Sequence, residues 1–397
     1  ALKANVTGSG NSAFGHEVLV SNTTGTENSA FGKSSLRTNT TGAANLAIGS
    51  FVLNSNLTGF YNTGLGARAL YSNVGNSGST AIGYNSMYYA DNRTTGRTTA
   101  NTAVGYESLM GSSTAANNTG QNNTAVGFQS LKSNTAGLDN SALGSLALSL
   151  NTTGNYNTGL GSYSLRNNTT GSGNTAVGNA SLDRNTTGAN NTSVGASNLS
   201  YNTTGANNSA FGYTSMNKNT TGYDNTSVGY NSLNANTTGY ENVAVGSLSL
   251  QSNTTGFYNT AIGNKSLTSN TTGQDNTALG LLALASNTTG NSNTGIGNGA
   301  LRSNTIGYQS IAIGQGALYS NTTANKNNAI GFESLNKNTS GADNVALGHS
   351  TLYTNSTGSQ NVAIGNEALG KSTTSNKIVA VGFKALSKQT ASYGNTA

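Results

Sequence analysis

Asn242-Val243-Ala244-Val245-Gly246-Ser247-Leu248-Ser249-Leu250-Gln251-Ser252-Asn253-Thr254-Thr255-Gly256-Phe257-Tyr258 is followed at once by Asn259-Thr260-Ala261-Ile262-Gly263, so the pattern restarts after 17 residues. The consensus is N-T-A-φ-G-x-x-S-L-x-x-N-T-T-G-x-x, with φ drawn from Val, Ile, Leu and Phe. The closing glycine recurs from Gly15 to Gly382 in 22 registers; 19 of the 21 intervals are 17 residues long, and Gly83 to Gly105 and Gly105 to Gly127 are 22. A constant short period is the mark of a repeat architecture in which each unit contacts mainly its neighbours.

Three columns restrict the fold. The residue two before the closing glycine is always small: Ala in 17 registers, Gly at 64, 159 and 295, and Ser at 193 and 227. The next residue is always large and apolar, and four after the glycine stands Leu, replaced only by Met87 and Met216. Seventeen residues cannot hold a helix pair with its turns, and Asn, Thr and Gly are poor helix formers. N-T-A-φ-G reads as a short strand and S-L-x-x-N-T-T as a second, with the glycines at the corners. The fold class is therefore all-β: a single-chain parallel β-solenoid, or β-roll, of about 22 coils over residues 1–397, with enlarged coils at 83–127. With coils about 4.8 Å apart, such a stack would be on the order of 100 Å long.

Alternation along the first strand sends the small residue and φ to opposite faces. Both columns are restricted, so both faces are expected to be packed, one inside the coil and the other against a second copy. Which face lines the interior is left open. The columns assigned to self-association are Phe14, Phe31, Ile48, Val104, Val126, Val177, Phe211, Ile262, Ile313 and Ile364. Asn precedes the first strand in 19 registers and another Asn opens most N-T-T-G corners. Stacked amides can bond from coil to coil as ladders, so sequons such as Asn185-Thr186-Thr187 read as repeat chemistry rather than glycan sites.

Composition narrows the function. Charged residues are 8% of the chain, there are 53 glycines, and proline, cysteine and tryptophan are missing. Without cysteine there is no disulfide framework or thiolate metal site. No stretch approaches the roughly 20 apolar residues of a membrane span, so no membrane insertion is expected in this segment. The net charge of +6 is spread thinly, with Arg37, Lys132, Arg166, Arg184, Lys218, Arg302 and Lys337 following the Leu column. Nucleic-acid binders cluster far more cations, so this reads as a solubilising corner and no nucleic-acid partner is expected.

His16 and His349 lie far apart, and most acidic residues of the column holding Glu27, Asp139, Asp224, Glu241, Asp275 and Asp343 are several coils from one another. Neither arrangement gathers a metal ligand set, and no constellation for catalysis is visible. The reading is non-enzymatic, without metal or cofactor. The two enlarged coils break the repeat within 88–97 and 110–116, and the first offers Tyr88, Tyr89, Asp91, Arg93 and Arg97 as a candidate binding bulge. Loops on a rigid scaffold are favoured binding positions.

Asn361-Val362-Ala363-Ile364-Gly365 and Asn242-Val243-Ala244-Val245-Gly246, with the many N-T-A-V-G copies followed by x-x-S, resemble the head repeat of trimeric autotransporter adhesins of the YadA type. That resemblance implies a left-handed parallel β-roll, a homotrimer, and a bacterial surface structure that binds matrix proteins or host cells. The period departs from the family's usual 14 or so. The N-T-T-G corner is enlarged, and neither a coiled-coil stalk nor a membrane-anchor barrel is read here. Residues Leu2-Lys3-Ala4-Asn5-Val6-Thr7-Gly8 match L-x-x-N-T-T-G and Asn395-Thr396-Ala397 opens a first strand, so the sequence reads as a segment of a longer fibre.

The expected function is an extracellular or cell-surface fibre or adhesin segment, or the fibre of a phage-like particle, presenting repeated weak surfaces to glycans or cell-surface proteins. A self-assembled filament or sheath without a receptor is the alternative. An ice-binding solenoid is the second, disfavoured because adjacent Thr in N-T-T point to opposite faces.

Overall fold

The N-T-A-φ-G segment places β-branched and small residues next to a glycine, and there the backbone is extended for three residues per register. The computed structural model describes residues 1–391, 393, 394 and 396. Ser392, Asn395 and Ala397 lie outside them, and with them most of the partial strand expected at 395–397. The described residues fall into two compact units, Ala1–Thr204 and Gly205–Ala397. The first carries eleven strands from β1 (Ser12–Phe14) to β11 (Thr192–Val194), and the second eleven from β12 (Ser209–Phe211) to β22 (Val379–Val381). Each unit is a parallel β-solenoid, about 22 turns in all, and the only helical turn among the described residues is a 3-10 turn at Ala115–Asn117.

Pairing is parallel and in register. Ala13 faces Ala30 and Phe14 faces Phe31 in the first unit; Ala210 faces Ser227 and Phe211 faces Val228 in the second. The enlarged coils keep this register, with Thr80 opposite Thr102 and Thr102 opposite Thr124.

The second strand expected at S-L-x-x-N-T-T is not formed. That segment is a series of turns, because the backbone is left-handed at the second and fourth residues after the closing glycine, as at Leu248 (φ 61°) and Leu250 (φ 47°). Tyr258 (φ 56°) adds a third such position to this coil. For L-residues this conformation costs about 1 kcal/mol or more each, and it persists where surroundings over-determine it. Here neighbouring coils do so: Leu248 N donates to Tyr230 O at 2.9 Å, and Leu250 N to Ser266 O at 3.0 Å.

The interior is lined by the small strand residue, the Leu column and two amide columns; Ala244, Leu250, Asn253 and Asn259 are all inaccessible to solvent. Asn253 Nδ2 donates to Asn236 Oδ1 and to Gly256 O, both at 2.9 Å, while its own Oδ1 accepts from Asn270 Nδ2 at 2.8 Å. In the other column Asn259 Nδ2 donates to Asn242 Oδ1 at 3.1 Å and to Gly273 O at 2.8 Å. The primary amide suits this place because it offers two donors and an acceptor on one short stem, and buried polar atoms must be bonded. Asn185 of the sequon is likewise inaccessible, with Nδ2 bonded to Asn168 Oδ1 at 2.8 Å and Gly188 O at 2.9 Å.

The closing glycine is a steric requirement. At Gly246 φ is 128°, and a Cβ built there would lie 2.7 Å from the carbonyl oxygen of Gly263 in the next coil. Only glycine allows both the angle and the close approach.

Candidate interaction surfaces

With Ala inside, strand alternation turns φ outward, which settles the open choice of face. Phe31 is 41% exposed, Ile262 38% and Ile364 37%. Phe14, Ile48, Phe211 and Ile313 are also exposed, whereas Val104, Val126 and Val177, with shorter side chains, are half-buried. The first residue of each strand shares this face by alternation. It is most often Thr or Ser, but Leu46, Ile311 and Val379 make it apolar and are exposed. Within each unit the strand face therefore carries a continuous apolar column beside a β-branched and hydroxyl column, with no chain of its own to cover it.

Aromatic residues, exposed or half-buried, form stacks beyond that face. After the closing glycine, Tyr84, Tyr106 and Phe128 lie with ring centroids 5.5 Å apart at each step in the first unit. In the second unit His349 stacks on Phe332 at 5.2 Å. After N-T-T-G, Tyr223, Tyr240 and Phe257 stack at 4.9 and 4.8 Å with planes 5° apart. Parallel coils bring equivalent side chains to stacking distance, so ring columns follow from the period itself.

The bulge is turned inward at its charged end. Tyr88 stacks on Tyr71 at 5.0 Å and meets Tyr89 edge-on at 4.6 Å; burial, then the neighbouring Tyr71, raises the Tyr88 phenol above its ordinary pKa. The Asp91 side chain is 1% exposed. Its carboxylate accepts from Arg93 N at 3.1 Å and Arg93 Nε at 2.9 Å, with Arg97 Nη2 3.2 Å away. Burial opposes ionisation of Asp91, yet the Arg93 hydrogen bonds and the charges of both arginines hold its carboxyl below the ordinary range. Asn118 ties in the second insertion: its Oδ1 accepts from Ser112 N at 2.9 Å, and its Nδ2 donates to Ser112 O and to Tyr89 O. Of the candidate bulge residues, the structure thus joins Asp91, Arg93 and Arg97 to each other, and Tyr88 and Tyr89 to each other and to Tyr71.

Several cations of the Leu corner also have local partners. Arg37 pairs with Glu17 at 3.1 Å, Lys132 with Glu107 at 2.8 Å and Arg166 with Asp183 at 3.0 Å, while Arg184 lies over the Tyr201 ring at 4.0 Å. Burial raises the Asp183 pKa despite Arg166. Among the described residues no three His, Asp or Glu side chains converge as a metal site, and no helix is long and apolar enough to cross a membrane.

The buried position of Asp91 was not readable from residue types in the bulge. Its signal lay one coil earlier, where Asn73-Val74-Gly75-Asn76 replaces N-T-T-G. No protein-family model matches the chain, and no curated protein matches it. The YadA-type resemblance accordingly rests on its short motif.

Proposed function

We propose that the chain is a segment of a non-enzymatic extracellular fibre or adhesin that assembles with copies of itself, as a homotrimer, through the outward φ column. The observation that carries this reading is that column: a chain with 8% charged residues leaves large apolar side chains exposed in register along the strand face of each unit. Contiguous exposed apolar surface of this kind marks association sites. Side-by-side copies would cover it, and the number three comes from the adhesin resemblance. Assembly multiplies any weak surface by chain and by coil, which raises avidity without new chemistry.

Mass in solution tests the reading. The expected result is a species at three times the 40.0 kDa chain mass, reduced toward one chain when Ile262 and Ile313 are both replaced by Lys. A wild-type monomer would overturn self-assembly. Thr80, Thr102 and Thr124 stand on the same outward face in register, so a monomer that also shows thermal hysteresis would favour the ice-binding reading instead. A trimer that binds no glycan or cell-surface protein would favour the structural filament.

A further inference from the structure

The amide ladder of the first unit has a gap, and beside it lies a cavity lined by amides and hydroxyls together with Leu70, Met87 and Leu109. The N-T-T-G amides run Asn22, Asn39, Asn56 and Asn73, each donating to the one before, and the series resumes at Asn134, Asn151 and Asn168. Between them Ala90 and Ser112 occupy the ladder position, three residues after Met87 and Leu109. Ala90 N donates to Met87 O at 3.1 Å as Asn73 N does to Leu70 O at 3.2 Å, so at Ala90 the backbone site for a rung is preserved while the amide is lost, whereas Ser112 N donates to Asn118 Oδ1 at 2.9 Å.

The loss leaves polar groups unpaired. Asn73 Nδ2 still donates to Asn56 Oδ1 at 2.9 Å and Asn76 O at 3.0 Å, but its own Oδ1 receives no donor from the following coil. Asn134 Nδ2 keeps only the Gly137 carbonyl, at 3.0 Å. Asn76, in the place of the N-T-T-G glycine, donates to Asp91 O at 3.0 Å, while its Oδ1 is buried without a partner. Asn73, Asn76 and Asn134 are 1%, 2% and 4% exposed, and all three line a cavity of about 40 Å³ together with Ala90 and Asp91.

We propose that this cavity is a binding site for about three ordered water molecules that replace the two missing rungs. A water needs about 10–15 Å³ of such volume and two to four polar partners; the volume suffices, and Asn73 Oδ1, Asn76 Oδ1 and Asn134 Nδ2, with bonds between the waters themselves, supply the partners. Water donates to Asn73 Oδ1 and Asn76 Oδ1 and accepts from Asn134 Nδ2. A cation does not fit the donor at Asn134, and the nearest carboxylate, Asp91, is already held by Arg93 and Arg97.

Magnetic relaxation dispersion of water oxygen on the full chain counts long-lived internal waters. Ala90→Asn restores a rung next to Asn73 and is expected to remove at least one such water and to raise the thermal midpoint. Asn76→Gly restores the repeat's own corner residue but opens space and frees the Asp91 carbonyl to accept from water, so it is expected to raise the count, and it keeps the test open should Ala90→Asn fail to fold. A wild type with no long-lived water overturns the proposal. So do equal counts in the wild type and every folded variant.

Discussion

A regular coil such as 246–262 and the enlarged coils at 83–127 share strand register and the buried Leu or Met column, and differ in the amide ladder. In the regular coil each Asn is bonded to the coils on both sides. In the enlarged coils five additional residues enter between the Leu or Met position and the strand Asn, the strands stay aligned, and two ladder positions are lost. Strand pairing therefore tolerates insertion where the ladder does not. The polar interior is the more demanding part of the repeat.

The largest expected effect follows from the bonds each amide makes. Asn253→Ala removes three ladder bonds and leaves a buried donor and acceptors unpaired, so it should cost about 3 kcal/mol. Asn73→Ala, at the edge of the gap, removes two and should cost about 2 kcal/mol. Denaturant titration of both variants checks the order, and an equal or larger loss at Asn73 would break the comparison.

Acid should act on the enlarged coils through Asp91. Its folded pKa lies below the unfolded value of about 3.9, so its contribution is present above that pH and disappears as pH falls through the folded value. Asp91→Asn should cost about 2 kcal/mol at pH 7, less than a fully buried pair because Arg93 and Arg97 reach solvent. The gap between wild type and variant should close on acidification toward pH 2. A gap independent of pH would show that the carboxylate charge contributes nothing.

The regular-coil counterpart has the opposite sign. Asp183 is pushed up by burial more than Arg166 lowers it, so folding favours its protonated form; the associated stability is full below the unfolded pKa and lost as pH rises through the folded one. Asp183→Asn should therefore be neutral or stabilising by up to about 1 kcal/mol at pH 7. A loss of stability in the same titration would contradict the burial argument.

These contrasts also show what the sequence could convey. The period located the strand and the interior Leu, because both depend on residue size at a fixed place. It misplaced a second strand because left-handed backbone leaves no compositional trace when its sites hold Glu17, Phe51, Tyr163 and Lys265, or Leu in nearly every coil. Among residues at the first of these positions only Gly299 and Gly316 advertise it. The strand face was ambiguous because Ala and φ are equally restricted; Ala is inside since Leu and two amide columns leave room for a methyl group. In the bulge, charge usually signals exposure, and Asp91 is the exception that pairing permits.

The smallest effect compares two ion pairs beside the Leu column. Glu107, in the enlarged region, is held below the ordinary carboxylate range first by its bond to Lys132, against burial, with Gln129 Nε2 donating at 2.9 Å. Lys132 and Glu107 side chains are 32% and 15% exposed, whereas Arg37 and Glu17 are 49% and 41% exposed. Exposed pairs contribute about 0.2–1 kcal/mol, less as water and salt screen them. Lys132→Ala should thus cost about 0.7 kcal/mol and Arg37→Ala about 0.3 kcal/mol. Both losses should shrink in 1 M salt, where the Debye length falls to about 3 Å. Because the Glu107 pKa is lowered, the Lys132 contribution should also fade below pH of about 4. A loss at Lys132 that does not shrink in 1 M salt would mean that packing of the lysine stem, rather than its charge, accounts for it.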